Sequence, residues 1–177
     1  MTRYAGRRAV VVGQATGIDL AIAKRLVEGG AEVLLTARTP RERAYASAEL
    51  GSAARVVAPG AVEHGPWPAG QGVDFVFADA VATARPLLPY LRDGGGVVLT
   101  TPAAVHEFAA ELASRGIRVN AVAPSCIEAS ADDTAPLPPL GRLGSAEEVA
   151  RAALFLATDA TFTTGVRLPV DGGLGNP

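Results

Sequence analysis

The chain has 177 residues, of which 49% are hydrophobic and 19% are charged, and its formal net charge is −2. This composition excludes a disordered chain and favours one soluble domain over residues 1–177, while the small net charge disfavours nucleic acid or an anionic membrane as the partner. The single cysteine, Cys126, excludes an internal disulfide framework, and no apolar run is long enough to span a membrane, so we expect a cytoplasmic protein.

Short apolar runs without polar alternation recur along the chain and predict strands that are covered on both faces. Segments of helical period lie between these runs, which predicts βαβ units and a parallel sheet with right-handed crossovers. The expected fold class is α/β, with a single doubly wound, Rossmann-type sheet of about seven strands. Two Pro/Gly-rich stretches, 59–72 and 132–144, predict surface loops. The expected strands are residues 9–13, 32–37, 55–58, 74–78, 96–101, 117–122 and 166–170.

The first strand runs into a glycine-containing turn, Gly13-Gln-Ala-Thr-Gly17-Ile-Asp19, directly before the first helix. Glycines in such a unit allow a tight turn and let the backbone approach a pyrophosphate at the positively polarised helix N-terminus. The turn therefore predicts a dinucleotide site that includes Gly13, Gly17 and Ile18. The helix itself has an apolar residue at every fourth position and ends at Gly29-Gly30.

Two later helices have recognisable ends. One follows the fifth strand, with Thr101 as the expected N-cap, Pro102 in its first turn and Gly116 after its last residue. The last helix begins with a capping box, in which Ser145 and Glu148 each satisfy the other's free amide. The expected core faces are Val105, Phe108, Ala109 and Leu112 in the former helix, and Val149, Ala152, Ala153 and Leu156 in the latter.

Three later segments support the same interpretation as the turn. They read RGIRVNAVAP at 115–124, PLGRLGSAEEV at 139–149 and TGVRLPVDGG at 164–173. Together with the turn, and in this order, they resemble the short-chain dehydrogenase/reductase family, in which they would form the sixth strand, the last helix and the final strand. Gly13 and Gly17 match the first two glycines of that family's TGxxxGxG motif.

The resemblance implies NADP(H) as the cofactor. Arg38, just after the second strand, stands where NADP-binding members carry a basic residue for the 2′-phosphate. Pro124 and Ile127 lie in a Pro-Ser-Cys-Ile segment that is similar to the family's PGxI segment, which meets the nicotinamide. These residues are alternatively an inherited shape with no present ligand. The candidate cofactor-binding residues are Gly13, Gly17, Ile18, Arg38, Pro124 and Ile127.

The catalytic residues that the resemblance implies are altered in this sequence. The family transfers hydride with an Asn-Ser-Tyr-Lys tetrad, in which the Tyr stands four residues before the Lys. Lys24, in the first helix, is the one lysine of the chain, so no Tyr is followed by a Lys at this spacing. The serine position falls on Pro102, and the helix that carries the asparagine is expected to cover only residues 83–92. We therefore expect a truncated relative with shortened central helices that does not perform normal carbonyl reduction.

Asp19 replaces the third glycine of the turn. A carboxylate in the first turn of a helix is stabilised by the helix dipole, and it would repel a pyrophosphate bound at the same place. Our hypothesis is that Asp19 substitutes for the phosphate as the anion at this helix terminus. We therefore expect no bound cofactor, with NADP(H) as the alternative.

Polar side chains near the predicted carboxyl edge of the sheet are the candidate catalytic groups: Asp79 after the fourth strand, Glu128 after the sixth, Asp19 in the turn and His106 on a later helix. Carboxylates and imidazoles serve as general acids and bases. Asp79 is alternatively a solvated or capping carboxylate, and His106 a partly exposed position on an amphipathic helix. The two histidines share no ligand spacing with Cys126 or a carboxylate pair, so no metal site is predicted.

Three functions remain open at this stage. The first is a cofactor-independent biosynthetic enzyme that uses the cleft for isomerisation, dehydration or cyclisation of a small organic molecule. The second is an NADP-dependent oxidoreductase whose proton donor has moved. The third is a non-catalytic binding or accessory protein, and the shortened helices would leave room for a homodimer with a non-standard interface. Trp67, the single tryptophan, is expected to anchor the 59–72 loop, with a lid over the cleft as the alternative.

Overall fold

The computed structural model describes residues 2–62, 65, 67–68, 70–128 and 137–175, and it contains the seven predicted strands. Six strands agree with the sequence prediction to within two residues at each end, whereas the fifth begins at Leu91 rather than at residue 96. The strands are β1 (Arg8–Val12), β2 (Glu32–Thr36), β3 (Ala54–Val57), β4 (Val73–Ala78), β5 (Leu91–Leu99), β6 (Arg118–Pro124) and β7 (Arg167–Val170).

All seven strands form one parallel sheet in the order β3-β2-β1-β4-β5-β6-β7. From β1 the chain builds outward on one side through β2 and β3, and on the other side from β4 onward. Doubly wound sheets bind ligands at the carboxyl ends of the strands beside such a reversal. The predicted doubly wound α/β fold is confirmed. In such a fold a ligand site is expected at the edge where β1 and β4 end.

The described residues form five α-helices between these strands. The predicted capping box of the last helix is confirmed, because the Glu148 N–H donates to Ser145 Oγ at 3.2 Å and the Ser145 N–H donates to Glu148 Oε2 at 2.9 Å. The predicted core faces are buried except for the half-buried Ala152. The helices are α1 (Gly17–Glu28), α2 (Pro40–Leu50), α3 (Val81–Ala84), α4 (Val105–Leu112) and α5 (Ala146–Thr158).

Two of the helix predictions are wrong. Thr101 does not cap α4, because the residue before this helix is Ala104, in the left-handed conformation with φ 58°. The helix expected between β4 and β5 is instead the four-residue α3 followed by a 3-10 turn at Arg85–Leu87. Pro86 and Pro89 account for this difference, since a proline inside a helix removes a backbone donor and clashes with the preceding turn.

The core lies in two layers, one on each face of the sheet. Ile22 and Leu26 of α1 pack with α5 on one face, and Phe108 of α4 packs on the other. The predicted loop over 59–72 contains a short 3-10 helix at Pro59–Val62, whereas His64 and residues 132–136 of the second predicted loop lie outside the described residues. None of the helices that the structure describes has the length and apolarity needed to cross a bilayer.

Candidate active site

A cleft of about 550 Å³ lies at the carboxyl edge of the sheet, where β1, β2 and β4 end side by side. Val11 pairs with Leu35 in β2 and with Phe77 in β4, so the residues that follow these three strands meet at one place. The cleft brings together seven of the ten candidate residues. Its lining is Gly13, Gln14, Thr16, Gly17, Ile18, Asp19, Arg38, Asp79, Thr100 and Ile127.

A hydroxyl at the end of β2 fixes the turn that follows β1. The Oγ1 atom of the buried Thr36 accepts a hydrogen bond from the Gly13 N–H at 2.9 Å, and the same hydroxyl donates to the Gly13 carbonyl at 3.2 Å. These two hydrogen bonds hold both polar groups of Gly13 and so set the direction in which the turn leaves the strand. Sequence reasoning missed Thr36, for which the available signal is one hydroxyl at the end of an apolar strand.

The side chain of Asp19 folds back over Gly13. A Cβ atom at Gly13 would lie 1.9 Å from Asp19 Oδ2, so the absence of a side chain at position 13 makes room for this carboxylate. Oδ2 also accepts a hydrogen bond from the Gln14 N–H at 2.8 Å. The carboxylate therefore lies inside the turn that a phosphate would be expected to approach.

Burial raises the pKa of the Asp19 carboxyl above its ordinary value, because the charged form loses solvation inside the turn. The hydrogen bond from Gln14 lowers this pKa, the negative charge of Asp79 raises it, and the positive charge of Arg38 lowers it. In the part of the chain that the structure describes, Asp19 forms no ion pair. A partly buried carboxyl with a raised pKa and no ion pair is a typical candidate for a functional group.

Asp79 lines the same cleft in different surroundings. The Thr83 hydroxyl on α3 donates to Asp79 Oδ1, and Arg38 Nη2 lies 3.7 Å from Asp79 Oδ2. The backbone N–H of Arg38 donates to Glu42 Oε2 at 2.8 Å, which ties this arginine to the start of α2. The cleft thus holds one partly buried carboxyl without a cation and one half-exposed carboxyl beside a cation.

The pyrophosphate of a dinucleotide fits this turn poorly. The Asp19 carboxylate already accepts the Gln14 N–H, and in its charged form it places a negative charge at the N-terminus of α1, where phosphates bind. Arg38 lies at the end of β2, the position suited to a 2′-phosphate, but it pairs with Asp79. The residues present therefore do not fit a dinucleotide while Asp19 is ionised.

Three candidate residues lie outside this cleft. His106 is exposed on α4 beside the loop that precedes β7, where its Nδ1 would lie 3.1 Å from a Cβ atom at Gly165. Glu128 is exposed, and its backbone N–H donates to the Gly144 carbonyl at 2.9 Å. Pro124 ends β6 and lines a neighbouring cleft.

This second cleft has a volume of about 630 Å³ and adjoins the first at Thr100, which lines both. It lies between the carboxyl ends of β5, β6 and β7. Both volumes are in the range of sites for small molecules. The lining of the second cleft is Thr100, Thr101, Pro102, Ala123, Pro124, Ser125, Arg167, Pro169, Asp171, Leu174 and Gly175.

The tyrosines and the lysine lie away from both clefts. Tyr4 is buried beside the C-terminal end of α1, Tyr45 is exposed on α2, and Tyr90 directly precedes β5. Lys24 forms an ion pair with Glu49 of α2. None of these four side chains lines either cleft within the described ranges.

Trp67 lies at the opposite, amino edge of the sheet. Its indole Nε1–H donates to Oε2 of Glu32, the first residue of β2, at 3.2 Å, and its ring packs against the core. This position supports the interpretation as a loop anchor rather than a lid. As for metals, the described side chains include no group of three or more His, Cys, Asp or Glu residues placed to hold an ion.

The fold and the cleft define a Rossmann-type α/β protein with a cleft at the β1–β4 reversal. A family model described as enoyl-(acyl carrier protein) reductase matches residues 100–175. The oxidoreductase asL5 of Sarocladium schorii is 30% identical over an alignment of 241 positions that covers 97% of each chain. The chain therefore belongs to the short-chain dehydrogenase/reductase family.

Other relatives match shorter parts of the chain. The 3-oxoacyl-(acyl-carrier-protein) reductase FabG of Thermotoga maritima is 47% identical over 95 residues, which are 48% of this chain and 37% of that protein. The FabG of Pseudomonas aeruginosa is 47% identical over 78 residues, 37% of this chain and 31% of that protein. These two matches span about a third of the relatives' length. A crystal structure described as a "putative betaketoacyl-ACP reductase" is similar with a TM-score of 0.80 and 26% identity, covering 96% of this chain and 98% of that chain.

Proposed function

We propose that this family member carries out acid–base chemistry on a small organic molecule without a nicotinamide. The observation that carries the proposal is the presence of Asp19 and Asp79 in one cleft, the first partly buried with a raised pKa and the second half-exposed beside Arg38. Two carboxyl groups with such different surroundings are suited to act as one acid and one base.

The proposed reaction moves one proton off the substrate and one onto it. The Asp79 carboxylate removes a proton from one substrate atom, and the protonated Asp19 carboxyl delivers a proton to another. An isomerisation of this kind needs no oxidant or reductant, and exchange with solvent restores the two carboxyls. The Thr83 hydroxyl and Arg38 orient Asp79, and the Gln14 N–H orients Asp19. In a dehydration the same pair removes a proton from one substrate atom and protonates the hydroxyl that leaves as water. In a cyclisation it deprotonates the attacking group and protonates the atom that accepts the electrons of the bond that is broken.

The positions of the tyrosines and of Lys24 support chemistry other than carbonyl reduction, because none of them lines a cleft at the carboxyl edge among the described residues. The alignment with asL5 has 241 positions, more than the 177 residues of this chain, so it contains gaps in this chain. We infer that the gaps fall where the central helices are short, as in α3 with four residues.

An NADP(H)-dependent oxidoreductase is the second candidate. Membership of the short-chain dehydrogenase/reductase family favours it, and so does the location of Arg38 at the end of β2. In this case a group other than a tyrosine would donate the proton, and the Asp19 carboxyl would be protonated or displaced when the dinucleotide binds.

Deuterium exchange tests the acid–base proposal. Small oxo- and hydroxy-compounds are incubated with the protein in heavy water, without nicotinamide, and deuterium incorporation is followed by NMR. We expect Asp79→Asn and Asp19→Asn each to lower the exchange rate by about 10²–10⁴-fold, the usual contribution of a general acid or base. Asp93→Asn is the matched control, because this carboxylate is 76% exposed and pairs with Arg115 away from the clefts.

Calorimetric titration with NADPH separates the two candidates. Trp67 fluorescence is unsuitable as a probe, because this residue lies at the amino edge. Micromolar NADPH binding together with its oxidation during turnover would establish the oxidoreductase and overturn the acid–base proposal. Exchange rates that neither aspartate substitution changes would exclude the Asp19–Asp79 pair as the catalytic groups.

A further inference from the structure

The second cleft contains an arginine that pairs with none of the described residues. The guanidinium of Arg167 lines this cleft and, within the described residues, forms no ion pair or hydrogen bond. By contrast, ten other arginines form ion pairs with carboxylates, and Arg118 donates to three carbonyls at the end of α5. Arg41 and Arg43 also lack an ion pair within the described residues; they are exposed on α2 and line neither cleft, whereas Arg167 is exposed too but lines the second cleft. Arg167 therefore differs from these other arginines, because it lines a cleft and its charge has no partner among the described residues.

The strand alternation of β7 places Arg167 in this cleft. Leu168 and Val170 pack against the hydrophobic core on the face that holds α1 and α5. Successive side chains of a strand point to opposite faces, so Arg167 and Pro169 lie on the other face, and both line the cleft. The alternation of side chains along β7 therefore determines the face of the sheet on which the guanidinium lies.

The same cleft contains hydrogen-bond donors that the protein does not use. In the described structure the hydroxyls of Thr100 and Thr101 make no hydrogen bond, and the Ser125 hydroxyl has only a 4.0 Å contact with Cys126 Sγ. Asp171 also lines the cleft, but its Oδ1 accepts the Gly173 N–H at 2.9 Å and its Oδ2 accepts the Gly175 N–H at 3.0 Å. The acidic group is therefore satisfied by the backbone, whereas the cation and the hydroxyls are available.

We propose that the second cleft binds an anionic group of the substrate, a carboxylate or a phosphate, through Arg167 and the neighbouring hydroxyls. A guanidinium with hydroxyl donors beside it is a suitable partner for either anion. This inference rests on the proposed function, because Thr100 lines both clefts and the substrate would extend from Arg167 past Thr100 to Asp79. The substrate class is then a small organic anion whose reacting atoms lie in the first cleft.

Calorimetric titration of the whole chain tests this site with three probes: 3-hydroxybutyrate, its uncharged amide and inorganic phosphate. We expect the wild-type chain to bind at least one anion more tightly than the amide, and more weakly as salt is added. Arg167→Gln should lower the affinity for that anion by about tenfold or more, the effect of losing one charge-assisted hydrogen bond. Arg41→Gln should leave the affinity unchanged, and Arg167→Lys should retain part of it.

Several results would overturn the inference: equal anion affinity in Arg167→Gln and wild type, binding of the amide as tight as that of the acid, or no saturable binding of either anion. Preference for 3-hydroxybutyrate or for phosphate identifies which anion the site takes. Anion binding that needs Arg167, without exchange that depends on Asp79, would keep this site and reject the proposed chemistry. If the amide undergoes deuterium exchange that depends on Asp79 and is unchanged in Arg167→Gln, the proposed chemistry is kept and the anion site is rejected.

Discussion

The two edges of the sheet each hold an aspartate that is shielded from solvent, but the partners of the two carboxylates differ. At the amino edge, the side chain of Asp74 is 5% exposed and accepts hydrogen bonds from Arg7 Nη1 at 2.9 Å, from Arg92 Nη1 at 3.0 Å and from the Arg8 N–H at 2.9 Å. At the carboxyl edge, Asp19 accepts one backbone hydrogen bond, and its pKa is raised, chiefly by burial. The first carboxylate is compensated by two cations, whereas the second is not.

This difference indicates that the surroundings of Asp74 at the amino edge stabilise the fold, whereas the surroundings of Asp19 at the carboxyl edge do not. A buried charge with good partners holds a structure together once it is present, whereas one without a cation costs free energy. The same contrast holds for cations: Arg7 and Arg92 are paired at the amino edge, and Arg167 near the carboxyl edge pairs with none of the residues that the structure describes. Uncompensated groups of both signs on one side of the sheet are typical of a site that binds a ligand.

Removal of the Asp74 carboxylate should change the free energy of unfolding more than the other substitutions considered below. We expect Asp74→Ala to lower the free energy of unfolding by about 2–3 kcal/mol, because the Arg8 N–H loses its partner, whereas Arg7 and Arg92, whose side chains are 58% and 43% exposed, are solvated by water instead. Urea denaturation measures this change. Asp93→Ala, which removes an exposed partner of Arg115, should lower it by less than about 1 kcal/mol. Equal losses in the two variants would remove the distinction that we draw for the amino edge.

A smaller loss of stability is expected when the N-cap of α5, a purely structural feature at the carboxyl edge, is removed. Ser145 caps α5 through its reciprocal hydrogen bonds with Glu148, and Ser145→Ala should lower the free energy of unfolding by about 1 kcal/mol. Ligand binding in either cleft should not change. Ser145→Asp, which preserves a capping oxygen, is the control and should remain close to wild type in denaturation. A loss of ligand affinity in Ser145→Ala would mean that the cap also shapes the clefts.

The sequence predicts the scaffold better than the site, for a physical reason. The β strands and the α5 cap depend on local patterns, namely apolar runs and the spacing of Ser145 and Glu148. The meeting of Asp19 with Asp79 is also predictable, because parallel strands end at the same edge. His106 illustrates the limit: periodicity places it on a helix, but the packing of α4 against the sheet leaves it exposed beside Gly165.

Arg167 and Thr36 show a second limit of the sequence. Alternation along β7 predicts the face of the sheet on which Arg167 lies, but only the folded contacts reveal that no carboxylate among the described residues pairs with it. The role of Thr36 depends in the same way on the pairing of β2 beside β1, which brings its hydroxyl to Gly13. Both properties come from contacts between segments that are distant in sequence.

The smallest change in the free energy of unfolding is expected for Asp19→Asn, and this change is an increase rather than a loss. The amide oxygen can still accept the Gln14 N–H, but the charge is gone. Because folding raises the pKa of Asp19, the folded state binds its proton more tightly than the unfolded state, and wild-type stability is lost as pH rises from the ordinary value of 3.8 through the raised pKa. The variant escapes this loss and should be more stable than wild type at neutral pH, with the difference vanishing below pH 3.8.

Urea denaturation of both chains across this pH range measures the difference. Acid destabilisation from Glu148, whose pKa is lowered to about 2 by Arg142 and by the Ser145 N–H, is common to both chains and cancels. A variant that is less stable than wild type at neutral pH would show that the Asp19 carboxylate is compensated in the folded state. Asp19 would then resemble Asp74 at the amino edge, and its carboxylate would stabilise the turn instead of being an uncompensated functional group.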